Sequence, residues 1–575
     1  TTTGGAWVAF EYFPNTSGNV DVAGALQRRH RQFLSSPATV PTDLSTHITG
    51  EVTTYDYALD AFGRRTRPIS METKVGRTQS GSTVQQTVAR TTTAYTDSAT
   101  NFAGHTQLRL VTAERTDYAE NTDYLTTVIK YFREDAGVPM TTGVAATDDF
   151  FRHQTHSIKH PDGRMEVFAY QRGTFVEPAS GNPASITLST NNGTDAGPAS
   201  RITLIRGHAG SSGTLYTTYG GYDIEDVRLI ANKSTMEVVL RDQYARVRRT
   251  EMKVWDGSAW QPVSSVDFTY NTVNQVISRL STPGGLFETT WSGEKLLSQT
   301  DETGVRVSIE THDAANRVSV ERRESSVGSP VAISALKTQY TYDAAHHVTQ
   351  LTVGSNLSES LISNRGYDNA GRLTSEASPG LGATTYTYLP ASMQRTTTYP
   401  NSTTRIETRN ADGSLDRITG TSVVAEYYTH TILASGFRNT LVKVGTNLTS
   451  EKRVSDATVD WLGRPRSTSR PRWTAPGASA QAPMTTERFY QGMTGRLIKT
   501  TASGYSPTRY EYDELSQVTR IGLDRDNDGL GTSSRDRITE FDTRFDLTGG
   551  SGGGWWLYSE TKVYPTDDSS AVATT

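Results

Sequence analysis

The stretch 365–378, RGYDNAGRLTSEAS, constrains this chain more than any other. It reads as a strand ending at Tyr367, a tight turn, and a second strand opening at Arg372. The Asp368 carboxylate can fold back onto backbone N–H groups two residues on. Gly371 can take a positive φ with no Cβ penalty. Arg372 and Leu373 then place a cationic stem and an apolar side chain on opposite faces of the next strand. One such stretch is an ordinary hairpin, but the chain writes it repeatedly.

Tyr342-Asp343 is followed by AAHHVTQL, and Tyr512-Asp513 by ELSQVTRI. His312-Asp313 leads to Arg317-Val318, and Tyr270-Asn271 leads to Gln275-Val276. Residues 60–64, 242–247, 460–464 and 494–497 keep the second half of the motif, and 410–413 keeps a turn of the same kind. In the later part of the chain the copies recur roughly every 20–50 residues, the range that marks a repeat architecture.

This pattern, Tyr-Asp-x-x-Gly-Arg-Leu followed by a polar strand, resembles the YD-repeat or RHS-repeat family. The resemblance runs from about residue 230 to 545 and is thin before that, resting on 61–64 and on Pro161-Asp162-Gly163-Arg164. It implies a continuous β-sheet spiral wound into a hollow, cocoon-like shell. In relatives such shells hold a toxic C-terminal domain or form part of large adhesion receptors. The family's shell-closing segment, rich in Asp-Pro-x-Gly-Leu and associated with aspartyl self-cleavage, does not occur in these residues.

Physics alone requires an extended repetitive sheet. Single hairpins are marginal, and stacking pairs each edge with the next copy. Strand twist makes so long a sheet coil. Composition agrees: at 575 residues with a hydrophobic fraction of 34%, and 27 Tyr against 16 Phe, the chain suits a sheet with a solvated face better than a compact α/β enzyme. The expected fold class is all-β, built from antiparallel hairpins. The expected divisions are a lead-in segment at 1–50, a β-rich region with degenerate repeats at 51–230, the repeat sheet at 231–548, and a Gly-rich joint with a final strand at 549–575.

The net charge of −4 gives no electrostatic case for nucleic acid or an anionic membrane. The absence of cysteine excludes disulfides and thiolate metal sites. No apolar run approaches the roughly 20 residues of a membrane-spanning helix. The termini read as the interior of a longer polypeptide, secreted or displayed at the cell surface as the resemblance implies.

Strands are expected at 7–13, 88–95, 107–114, 124–132, 165–171, 201–205, 337–342, 508–512 and 555–564. A short helix is expected over 21–34, with Val22, Leu26 and Phe33 as its stripe. Loops are expected at 180–200 and 470–483, and a flexible joint or long turn at 549–554.

The sharpest chemical candidate is 523–536, LDRDNDGLGTSSRD. Asp524, Asp526, Asp528 and Gly529 reproduce the first half of a calcium loop, with carboxylates at alternate positions and Gly for the sharp turn. The twelfth position is Arg535, and Asp536 sits one later. The bland alternative is an acidic hairpin loop. His153, His156 and His160 are solvent-facing strand histidines unless further ligands reach them for zinc. Trp555-Trp556 and the tyrosines can stack on sugars, but strand packing is the simpler role. Five Asn-x-Ser/Thr sequons, at Asn192, Asn232, Asn356, Asn401 and Asn447, are what Ser/Thr-rich sequence produces by chance.

No phosphate loop, GxSxG or HExxH occurs, and no catalytic residue is assigned. Three roles are weighed: a shell segment that encapsulates or presents a C-terminal effector, a surface fibre or adhesion module binding glycans, partner proteins or its own copies, and a carbohydrate-active enzyme with a carboxylate pair. They rank in that order. The partners implied are the rest of the polypeptide first, and cell-surface glycans or self-association second.

Overall fold

The computed structural model describes all residues except 1–6, 14–24, 34–39, 41–42, 45–46, 48, 60–64, 81, 103–104, 132–153, 178–184, 189–197, 211–213, 216–217, 220–221, 224–226, 326–332, 358–360, 446–452, 473–480, 531–535, 548–553 and 565–575. The described chain is all-β, with no α-helix and a 3-10 turn at Pro390–Ser392. Thirty-nine strands belong to one sheet, and Thr218–Tyr219 with Tyr222–Asp223 forms a separate pair.

The sheet is an antiparallel meander. From Val8–Tyr12 to Arg164–Val176 each strand pairs with the next in sequence. Arg164–Val176 then pairs with both Ser185–Leu188 and Ala199–Ala209, and Ala199–Ala209 hands the sheet on to Thr235–Arg241. From there to Trp556–Val563 the order again follows the chain. Sequential hairpins are what the repeat demands, because each copy's open edge is covered by its successor.

The repeats also build in curvature. Register shifts by one residue just before Tyr342, Tyr367 and Tyr512, so these tyrosines pair with Val348, Leu373 and Val518. Such bulges increase local right-handed twist. The sheet coils back on itself: turns between 460 and 517 touch loops between 119 and 233. Trp461 N–H donates to Ala119 O at 3.1 Å, and Leu125 bridges Met493.

Most of the sheet is one layer thick. Leu286–Ser292 alternates exposed and half-buried residues along its length. Among the described residues, a compact apolar cluster forms where Met165, Val167, Ile205, Val227, Met236, Val238 and Trp255 meet.

The expected strands are present, several of them longer than the sequence marked: 88–95 lies within Ser82–Phe102, and 165–171 within Arg164–Val176. The helix expected over 21–34 is corrected. Leu26–Arg31 is a strand, paired on one side with Val8–Tyr12 and on the other with Glu51–Leu59. Its apolar stripe is too sparse to pay for a helix, whereas a central strand satisfies its backbone on both sides. The loops at 180–200 and 470–483 are shorter than expected, because Ser185–Leu188, Pro465–Arg472 and Gln481–Tyr490 extend into them. The repeat at 60–64 and nearly all of the 549–554 joint lie outside the described residues.

Candidate functional site

The repeat turn is a five-residue unit with one hydrogen-bond scheme. At Asp368 the carboxylate Oδ1 accepts from the backbone N–H of Ala370 and Arg372, both at 2.9 Å, and Oδ2 accepts from Arg372 Nε at 2.7 Å. Gly371, at φ +75°, closes the turn. Asp313 with Arg317 and Asp460 with Arg464 repeat this scheme. Asp343 repeats it with His347 in place of Arg, the ring Nδ1 lying 2.9 Å from Oδ2. Asp513 keeps the two backbone bonds, to Leu515 and Gln517. The fourth residue is left-handed even where it is not glycine: Asn316, His346 and Ser516 sit at φ +66°, +70° and +63°.

These bonds favour the carboxylate. Its backbone bond to Arg372 and that residue's guanidinium hold Asp368 below the usual carboxylate range. The bond to His347 does the same for Asp343.

A second contact ties each repeat to the next. Arg317 lies 4.4 Å from the ring centre of Tyr342, whose hydroxyl donates to Val318 O at 2.8 Å. Arg372 and Tyr388, and Arg496 and Tyr512, repeat the arrangement, with the tyrosine hydroxyls on Leu373 O and Leu497 O. His347 again stands in for arginine, its ring stacked 4.6 Å from that of Tyr367. The sequence shows the Tyr and the Arg of this contact but not that they meet, because they come from neighbouring copies.

Where the coil returns, charge crosses the seam. Arg464 and Arg466 converge on Asp123 Oδ2 at 2.8 and 3.1 Å. Lys233 pairs with Asp513 at 2.7 Å. Asp162 accepts from Ser516 Oγ at 2.6 Å through its carboxylate and from Arg496 through its backbone carbonyl. Burial alone raises the Asp162 pKa, but the bonds from Ser516 and Arg164 bring it below the usual value. A cleft of about 460 Å³ runs along this seam, lined in part by Asp162, His208, Lys233, Arg496 and Glu514.

The calcium-loop candidates converge. One carboxylate oxygen each from Asp524, Asp526, Asp528 and Asp536 lies within a 4.8 Å set, with Asp524 and Asp536 fully buried. Asn527 at φ +65° and Gly529 at φ +114° turn the backbone so that the alternate carboxylates face inward. Asp524 Oδ1 accepts from Asp528 N–H at 3.1 Å, and Asp536 Oδ1 from Arg525 N–H at 3.0 Å. Arg509 pairs with Asp524, a partner that no local spacing marks. Oxygen-only donors in this number suit a hard divalent cation. Arg535 lies outside the described residues.

Among the described residues, the metal-capable cluster is the aspartate one, and it includes no histidine. His153 lies outside the described residues, and His160 sits 3.7 Å from Glu166. Trp556 is exposed on the last strand of the sheet.

No protein-family model and no curated protein matches this chain. Among solved structures, it aligns with a mutant Photorhabdus luminescens Tc holotoxin pore at 8% identity and a TM-score of 0.42, over 89% of this chain and 27% of that one. Two TcdB2-TccC3 structures align at 10% and 11% identity, each with a TM-score of 0.24. They cover 95% and 97% of this chain, and 44% and 38% of theirs. The chain therefore spans less than half the length of each of these proteins.

Proposed function

We propose that this chain is a structural segment of a secreted β-shell of the YD/RHS-repeat type, which encloses or presents a C-terminal effector domain of the same polypeptide. The observation that carries the reading is the seam. The sheet returns onto its own earlier strands and is fastened there by Asp123, Asp162 and Lys233, as the wall of an enclosure needs and a flat fibre does not. The repeat turns supply regular curvature, and the chain's role in this reading is containment without catalysis.

The test is an electron-microscopy map of the intact parent protein. Density enclosed by a continuous wall supports encapsulation. An open or polymerised sheet with no contents overturns it in favour of a surface fibre with outward binding loops.

The reading includes one ion. Asp524, Asp526, Asp528 and Asp536 hold calcium, which offsets their mutual repulsion and pins the loop between strands Val518–Leu523 and Arg537–Asp546. Isothermal titration with calcium alone, against the same titration of Asp526→Ala, tests it.

A further inference from the structure

Near the start of the sheet two histidines are buried against each other. His30, on strand Leu26–Arg31, is 1% exposed, and His47 is 4% exposed. Their Nδ1 atoms are 3.3 Å apart, and His30 Nε2 lies 2.8 Å from Glu11 Oε2 on strand Val8–Tyr12. The Trp7 ring lies 5.3 Å from that of His47.

The proton count of this cluster is fixed by its bonds. A carboxylate accepts only, so His30 Nε2 carries a proton toward Glu11. In neutral His30 the Nδ1 atom is then an acceptor, and His47 Nδ1–H must be the donor. That leaves His47 Nε2 as a bare acceptor, and this atom is buried with no hydrogen-bond donor. One further proton has two places to go, and both are unfavourable. On His30 Nδ1 it either sets two N–H groups against each other or turns His47 to its Nε2–H tautomer, whose N–H then sits in a buried site with no hydrogen-bond partner; on His47 Nε2 it puts a charge in that buried site beside His30.

The anion contact of the pair lies on its His30 side, and His47 Nε2 has no hydrogen-bond partner. Glu11 serves His30 and also pairs with Arg28. Glu51, on the neighbouring strand Glu51–Leu59, is taken by Arg29 and Arg31.

We propose that the His30–His47 pair is a proton-sensitive clasp, which holds the first strands of the sheet together while neutral and releases Val8–Tyr12 and Leu26–Arg31 on acidification. The released element is an edge: Val8–Tyr12 is paired only through Leu26–Arg31 among the described strands. It carries Val8, Phe10 and Tyr12 exposed on one face, so release frees an adhesive strand. Burial first, and His30 second, push the His47 pKa below its usual value. A base whose folded pKa is depressed contributes stability that is complete above its unfolded value, near 6.5, and is lost as pH falls below it.

The test is hydrogen exchange on the full chain at pH 7.5, 6.5 and 5.5, corrected for intrinsic rates. Amides of 8–12 and 26–31 should lose several-fold protection between pH 7.5 and 5.5, up to the roughly tenfold that one histidine with an unfolded pKa near 6.5 can supply, while 337–342 and 508–512 stay unchanged. His47→Gln keeps an amide and cannot charge, so it should flatten that response. Where the variant disturbs folding, imidazole NMR of the unaltered chain decides. One ring that stays neutral below pH 6 supports the clasp. Two independent titrations near 6.5, or protection of 8–12 and 26–31 that is constant with pH, overturn it.

Discussion

Arg464 Nη2 lies 2.8 Å from Asp123 Oδ2, an ion pair between residues 341 apart in sequence. Arg464 also serves Asp460 within its own repeat turn, so one guanidinium joins the local turn to the earlier winding. Asp123 receives Arg466 as well, and all three side chains are largely buried. Asp123→Ala leaves two guanidinium groups facing a void. It should destabilise the chain by about 2 kcal/mol, the scale of hydrogen bonds to charged groups. Urea denaturation checks this, and limited proteolysis should show new cuts near 119–123 before global unfolding. Wild-type resistance at that loop would mean that the seam does not depend on this pair.

The left-handed turn position gives a graded test. Gly371 and Gly413 have φ values of +75° and +84°. A Cβ at Gly413 meets nothing within 4 Å, whereas one at Gly371 comes 3.1 Å from His347 Nε2. Gly413→Ala should therefore cost about 1 kcal/mol from backbone strain alone. Gly371→Val should cost more, since a β-branched residue resists this region and also crowds His347. Thermal melts of the two variants check the order. Equal melting of Gly371→Val and the parent would contradict the turn.

These turns were legible in the sequence because everything they need lies within five residues. The Asp, the left-handed position and the Arg are adjacent, and a hydrogen-bond scheme of that reach can be read from spacing. The aspartate quartet was nearly as legible, since three of its members alternate; Asp536 joins them although it stands one place beyond the usual position of a calcium loop. The Tyr388–Arg372 contact was not legible, because it depends on strand register between copies. Asp123 was invisible: its partners are more than 300 residues away, and nothing in its neighbourhood marks it. The false helix at 21–34 failed for the same reason, since Leu26–Arg31 is held by strands that local propensity does not register.

The turn carboxylates predict the acid limit of the fold. Asp313, Asp343 and Asp368 are each held below the usual value near 3.8, by Arg317, by His347 and by Arg372 with its backbone. A carboxylate with a depressed folded pKa contributes stability that is complete above its unfolded value and disappears as pH falls through the folded one. The melting temperature should therefore change little from these groups above about pH 5 and fall steeply below about pH 4. Asp313→Asn with Asp368→Asn should lower the melting temperature at pH 6 and make the acid slope shallower. An unchanged slope would place the acid sensitivity elsewhere.

Calcium offers the cleanest separation of a site from an acidic loop. Four carboxylates place an oxygen each within 4.8 Å of one another, and Asp524 among them pairs with Arg509, so like charges crowd whenever no divalent ion is bound. A ligand that binds only the folded state stabilises it by RT ln(1 + [L]/Kd), about 2.7 kcal/mol at a hundredfold excess over Kd. Chelation should lower the melting temperature by several degrees, and adding calcium should restore it. Magnesium should restore less, because the smaller ion demands octahedral geometry and gives up its waters reluctantly. Asp526→Ala, which removes an exposed member, should melt at one temperature with or without chelator. If instead Asp526→Ala raises the melting temperature of the chelated chain and calcium leaves the parent unaffected, the quartet is a repulsive loop tolerated by the fold.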